Sequence, residues 1–290
     1  MDIFARILNF TLMIAIPIIL GVYLANHFKA EWRLFGIGML TFIVSQVFHL
    51  PFNRWVLSPM LANLGLNNLK ETLPLIAFAL LMGLSAGLFE EITRYLAFRF
   101  WIKEARSWKE ALMFGAGHGG FEAIILGVLA MIAFIQIISL RGTDISTLVS
   151  PDKVALARSQ ITSYWAAPWY AALLGAVERI FAIAFHLSAA VLLLQSFRRH
   201  NILWLGAAIG WHTLFDAIAV FSSQRFSIYT TEAIIAVCGL ISIGIIFSLR
   251  DPESDQNIQS KEPLKLVQIE SPGINRKPSP ESIEDSRYDG

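Results

Sequence analysis

The chain has little charge and almost no cysteine. Asp, Glu, Lys and Arg make up 16% of its 290 residues, where a soluble domain carries about a quarter. Its lone cysteine, Cys238, lies in an apolar run and excludes an internal disulfide. Charge of neither sign dominates: 23 Lys and Arg against 22 Asp and Glu leave a net +1, which gives no nucleic-acid signal. The zinc-protease signature H-E-x-x-H does not occur. No small-residue cleavage site follows the first apolar run, which therefore reads as a retained helix rather than a signal peptide.

What is present is hydrophobic length. Residues are 55% hydrophobic and the mean hydropathy is +0.57. Seven runs, at roughly 7–26, 34–51, 74–100, 109–140, 168–197, 201–222 and 230–249, are long enough to span about 30 Å of hydrocarbon. The expected fold is all-α, a polytopic bundle of about seven transmembrane helices. The first, second and seventh runs read as plain scaffold, whereas the third to sixth carry ionisable groups. The loop 141–167 has room for a short interfacial helix, and Tyr164, Trp165, Trp169 and Tyr170 suit a headgroup-level belt.

The division expected is an integral membrane domain over 1–250 and a polar tail over 251–290. The tail contains five prolines and no apolar periodicity, the composition of a disordered segment. With seven spans, nine cationic residues fall on the side of Lys29, Lys103 and Arg250 and seven on the other. That bias favours an outside N-terminus and a cytoplasmic tail, in a plasma membrane.

The polar residues come in matched sets. LFEEITRYLAF at 88–98 places Arg94 one turn below both Glu90 (i, i+4) and Glu91 (i, i+3), so it can neutralise either. The other carboxylate is then free for general-base work. GAGHGGFEAI puts His118 and Glu122 on one helical face, among glycines that admit a close neighbour or open the helix. GAVERIFAIAFH adds Glu178, Arg179 and His186; GWHTLFDAI adds His212 and Asp216, again four apart.

His118, His186 and His212, on three successive helices, can converge as imidazole ligands of a divalent metal, with carboxylates completing the site. The same groups without metal can activate water through a Glu–His pair. An ion-pair staple would account for one such set, but four matched sets favour a functional site. Glu178–Arg179 reads as structural, because adjacent residues point about 100° apart and each needs its own partner. His27 and His49, near run ends, read as interfacial, and Tyr95 and Arg99 as marks of the membrane boundary. GLSAG at 83–87 fits G-x-S-x-G, but the nucleophile elbow needs a strand-to-helix turn, and small residues are common where membrane helices pack.

FEEITRYLAFR, FGAGHGGFEAI, PWY…GAVERIFAIAFH and WHTLFDA, in that order on successive helices, resemble the YhfC family of intramembrane metalloproteases. That family is similar to the wider group of CAAX-processing and bacteriocin-processing proteases and PrsW. The resemblance, over about 74–220, implies a glutamate-dependent peptidase acting on a membrane-embedded or membrane-adjacent bond of a protein or peptide substrate, among membrane lipid. It implies Glu90 as the base that activates water, with Glu91 and Arg94 shaping and neutralising the site. His118 and His212 would bind metal, zinc in the first instance, or water, and His186 would be a further ligand or an electrophile. Glu122 and Asp216 would orient their neighbours or complete the site, beside Glu178. The E-E-x-x-R spacing matches YhfC, whereas the CAAX-processing branch has E-E-x-x-x-R. Because the wider group has non-catalytic members, a membrane scaffold or an ion-coupled transporter is the alternative.

Overall fold

In hydrocarbon a backbone can satisfy its N–H and C=O groups only within its own segment or in a closed barrel, so each apolar run forms a helix. The structure, a computed structural model, describes residues 1–250; the tail expected from 251 lies outside the described residues. The helices are α1 (Asp2–Phe28), α2 (Trp32–Phe52), α3 (Ser58–Asn63), α4 (Thr72–Phe100), α5 (Trp108–Ser139), α6 (Pro151–Ala166), α7 (Leu174–Arg198), α8 (Leu203–Arg225) and α9 (Ile228–Ser248). No strand occurs among the described residues. Seven helices are long and apolar enough to cross a membrane, and each coincides with one of the seven runs.

Local chemistry sets their ends. Ser107 and Glu110 form a reciprocal capping box at the start of α5. Arg106 donates to the carbonyls of Phe98 and Ile102 and so caps the end of α4. Pro51 has no N–H to give to the preceding turn, and α2 widens just beyond it into π-helical turns at Asn53–Leu57. The helix expected within 141–167 is α6, none of whose residues is buried. Its aromatic end is tied to α1 by Arg6, whose guanidinium lies 4.3 Å from the ring centre of Tyr164.

Glycines fix where the spanning helices touch. A Cβ on Gly83 would lie 2.5 Å from Thr213 O and one on Gly87 3.0 Å from Ile209 O, so α4 and α8 run nearly backbone to backbone. GLSAG is thus a packing stripe. α5 sits between α1, α2 and α7 in the same way. A Cβ on Gly117 would fall 2.0 Å from Phe35 O, one on Gly38 2.1 Å from Phe114 O, and one on Gly115 3.0 Å from His186 O. The glycines around His118 therefore do not open the helix. α5 is continuous, because the approaching backbones bury the segment and leave no cavity for an opened turn.

Gly117→Ala tests this crossing. The new methyl meets a backbone carbonyl that cannot rotate away, and overpacking of this kind costs about 1–3 kcal/mol. A lowered melting temperature in detergent is the expected result. The exposed and uncrowded Gly206 should take the same change without loss.

The apolar core lies toward one end of the bundle, where Phe98, Ile102, Trp108, Phe114, Leu193 and Leu194 are buried together. Trp108 Nε1 donates to Ile246 O at 2.8 Å and closes that end against α9. Polar side chains begin where this core stops.

Candidate active site

Four of the expected residues share one depth. Glu90 lies ten residues before Phe100, His118 ten after Trp108, His212 nine after Leu203 and His186 twelve before Arg198. At about 1.5 Å per residue they stand roughly 14–18 Å in from the same end of the bundle. That is near the middle of a hydrocarbon layer about 30 Å thick. A cavity of about 310 Å³ opens on them. Its polar wall is Gln46 and His49 from α2, Glu90 from α4, Glu122 from α5, Glu178, Arg179 and His186 from α7, and His212 and Asp216 from α8. Glu91, Arg94 and His118 are fully buried behind that wall.

Arg94 selects between the two glutamates. Its Nη1 donates to Glu91 Oε1 at 2.6 Å, whereas Nη2 reaches Glu90 Oε2 only at 3.4 Å. Nη2 has a better acceptor in His186 Nδ1 at 2.7 Å. His212 Nδ1 lies 2.8 Å from the same Glu91 oxygen and anchors α8 to α4. Glu91 is thereby committed to Arg94 and His212, and Glu90 is the carboxylate left at the cavity.

Chemistry then assigns the protons on the three imidazoles. The Thr41 hydroxyl donates its one proton to Gly38 O at 2.6 Å, so its oxygen accepts from His118 Nδ1 at 3.0 Å. His118 Nε2 is left facing Glu90 Oε2 at 3.0 Å. A guanidinium can only donate, so His186 Nδ1 is the acceptor of Arg94, and its Nε2–H donates to Glu122 Oε2 at 2.7 Å. His212 donates through Nδ1 to Glu91, and its Nε2 lies 3.8 Å from Glu90 Oε2 and 3.5 Å from Asp216 Oδ2. Both nitrogens of His186 are taken, by Glu122 and Arg94, whereas His118 and His212 each have one nitrogen held by an oxygen and turn the other toward Glu90. That is the arrangement of metal-ligating histidines, whose second N–H is fixed by an outer oxygen. Among the described residues, Glu90, His118 and His186 form a buried group whose donor atoms lie within 4.8 Å of one another.

The remaining expected residues surround this group. Glu122 Oε1 accepts from Arg179 at 2.7 Å, while its other oxygen holds His186. Arg179 also donates to Glu178, so the two neighbours are each other's partner. This corrects the expectation that each needs its own: the long guanidinium spans both carboxylates. Asp216, with a third of its side chain exposed, sits one turn from His212 at the cavity.

Three readings of the plain runs change. His49 is buried at the cavity and lies 2.8 Å from Asn53 Nδ2, where an interfacial side chain was expected. α2 carries Thr41 against His118 and Gln46 against Glu90, both absent from the sequence-based site. The seventh run also contains an acid, Glu232, in the second turn of α9. A signal for α2 exists: polar residues recur at 41, 45, 49 and 53, every fourth position, with Gln46 beside them, in a largely apolar run.

Comparison with known proteins identifies the family. A family described as YhfC intramembrane metalloprotease matches residues 12–238. The chain belongs to the YhfC family. It is 35% identical over 233 residues to the "Uncharacterized membrane protein YhfC" of Bacillus subtilis (strain 168), covering 78% of this chain and 87% of that protein. No solved structure matches. Seven apolar helices and YhfC membership make the chain an integral membrane protein. The YhfC match takes in Thr41 and Gln46 on α2 as well as the four polar helices.

Proposed function

We propose that this YhfC chain is an intramembrane peptidase that hydrolyses a membrane-embedded or membrane-adjacent peptide bond at Glu90. The observation that carries the reading is the orientation of two imidazoles, His118 and His212, toward one carboxylate. His118 Nε2 faces Glu90 Oε2 at 3.0 Å with its other nitrogen already donating to Thr41. Two electron-rich atoms at that distance need a proton or a cation between them. His212 Nε2, 3.8 Å from the same Glu90 oxygen with its other nitrogen held by Glu91, favours the cation.

The donor set fits a divalent ion, zinc being the usual partner of imidazole with carboxylate. His118 and Glu90 would hold it, with His212 alongside, and His186 would join them only on releasing Arg94 from its Nδ1. Bound there, such an ion acidifies water and polarises a carbonyl. Glu90 takes the proton of the attacking water as its oxygen joins the carbonyl carbon. The same proton passes to the departing nitrogen as the C–N bond breaks, leaving a carboxylic acid and an amine. Glu91 is neutralised by Arg94 and His212, and Glu90 is the glutamate of the cavity not committed to a guanidinium at short range, since Glu122 and Glu178 are both held by Arg179. Glu122 and Asp216 orient His186 and His212, and Arg179 holds Glu122 while Glu178 holds Arg179.

The cationic loops support an outside N-terminus and a cytoplasmic end for α9, in the plasma membrane. Substrate and cleavage rule are set by what enters a mid-membrane cavity: a segment unwound within the bilayer, or a chain entering beside it.

Zinc titration decides the metal. The purified protein is expected to carry one zinc per chain, measured by elemental analysis. Chelation should remove both the zinc and cleavage of a reconstituted membrane peptide, and added zinc should restore them. An active, metal-free protein would put a proton between His118 and Glu90 instead. Ion flux in liposomes without any cleavage would reject the peptidase.

A further inference from the structure

We infer that Gln46, held by His49 and Asn53, is a positioning residue for Glu90, so that α2 is part of the catalytic apparatus. The inference rests on the peptidase reading above.

α2 has no charged residue in its membrane-spanning run, yet it places a row of polar side chains inside the bundle. Thr41, Ser45 and His49 are buried and Gln46 and Asn53 half-buried. Polar groups at such depth are costly unless bonded. Here they are bonded, in an unbroken order. Ser85 Oγ donates to Asn53 Oδ1 at 2.7 Å. Asn53 Nδ2 lies 2.8 Å from His49 Nε2, and since an amide N–H only donates, that nitrogen accepts. The ring proton is then on Nδ1, which meets Gln46 Oε1 at 3.3 Å. Gln46 Nε2 donates to Glu90 Oε1 at 3.0 Å.

Every link points the same way, toward the carboxylate. A set of bonds that only held helices together would have no reason to run in one direction or to end on the base. Running this way, it fixes which end of the Gln46 amide faces Glu90, because His49 can offer Gln46 only a donor. With Oε1 occupied, Glu90 is fixed in rotation and Oε2 is the oxygen turned to His118. Thr41, on the same face of α2, sets the His118 ring by the same means. The chain also gives Ser85 of GLSAG its role, as the first donor.

The test uses the full chain in liposomes, with Gln46→Met, His49→Leu, His49→Gln and Glu90→Gln beside the parent. Gln46→Met keeps length and removes the donor, and a polar-to-apolar change in a membrane helix preserves folding, checked by melting temperature. Outer-shell losses lower activity or metal affinity by about 10–100-fold. We expect Gln46→Met to lower kcat by that factor with KM within about twofold, and to weaken zinc binding in chelator competition. His49→Gln, which supplies one donor and one acceptor, should recover most of what His49→Leu loses. A Gln46→Met protein with parental kcat and zinc affinity, beside an inactive Glu90→Gln, overturns the positioning role alone. If Glu90→Gln cleaves like the parent, the peptidase reading fails instead. The zinc affinity of Gln46→Met then decides this inference by itself: weakened supports it, unchanged overturns it. A parent that neither cleaves nor binds zinc overturns both.

Discussion

Glu90→Gln is expected to lower the single-turnover rate of peptide cleavage by about 10²–10⁴-fold, the usual worth of a positioned acid–base group, with little change in melting temperature. The two halves of that result come from one comparison on α4. Glu90 lines the cavity, and its contact with Arg94 is the long one at 3.4 Å. An amide of the same shape therefore removes the proton acceptor but little of what holds the helices together. His118→Ala should match the loss of rate and also lose zinc, since the ring is the donor nearest Glu90 at 3.0 Å. Cleavage of a fluorogenic membrane peptide in liposomes, run beside a thermal melt, reads both. Parental rates in both variants would remove Glu90 and His118 from the chemistry.

The fold was legible because hydrocarbon imposes a length. Runs such as 74–100 and 109–140 have to be helices, and α4 and α5 follow them within one or two residues. Glu122 and Asp216 were legible as acids inside apolar runs, an anomaly that needs a reason, but the partner of Glu122 was not: that carboxylate holds His186 on α7 rather than His118 one turn before it. Nor was the choice between Glu90 and Glu91. Arg94 reaches i−3 and i−4 equally well on an isolated helix. What decides is His212 arriving from α8, where Gly83 and Gly87 let the two backbones close. That is a tertiary fact with no trace in the spacing of E-E-x-x-R.

The contribution of α2 was hidden for a different reason. Thr41 and Gln46 are uncharged, so they cost too little in a membrane to stand out, and His49 near a run end resembles an interfacial residue. Their meaning depends on partners far along the chain: Thr41 meets His118, 77 positions on, and Gln46 meets Glu90, 44 positions on. Arg179 shows the converse. Its adjacency to Glu178 argues that each needs its own partner, yet its guanidinium holds Glu178 and also crosses to Glu122 on α5, at 2.7 Å, and so supports the carboxylate that holds His186.

Arg94→Met should be the most destabilising single change in the site, about 3–5 kcal/mol, because it leaves Glu91 as an uncompensated charge with no exposure at all. Arg94 has no exposed surface either, and no other guanidinium or ammonium lies in an ion pair with Glu91 among the described residues. His212 would remain as the sole partner of Glu91, at 2.8 Å. Glu91 Oε2 has no hydrogen-bond partner among the described residues even with Arg94 present, so nothing on that side can take up the charge. Glu91→Met should be as harmful for the converse reason, since Arg94 would face only the long contact to Glu90 and the acceptor on His186. Removing both charges together is different. A buried ion pair is held against a large desolvation cost, and replacing it by apolar side chains of similar volume is often neutral. The double variant Glu91→Met/Arg94→Met should therefore regain a large part of the lost stability, although His212 and His186 lose their anchors and cleavage does not return. Denaturant titration in detergent measures all three. Additive losses in the double variant would show that Glu91 and Arg94 act independently, and would dissolve the pairing that singles out Glu90 as the base.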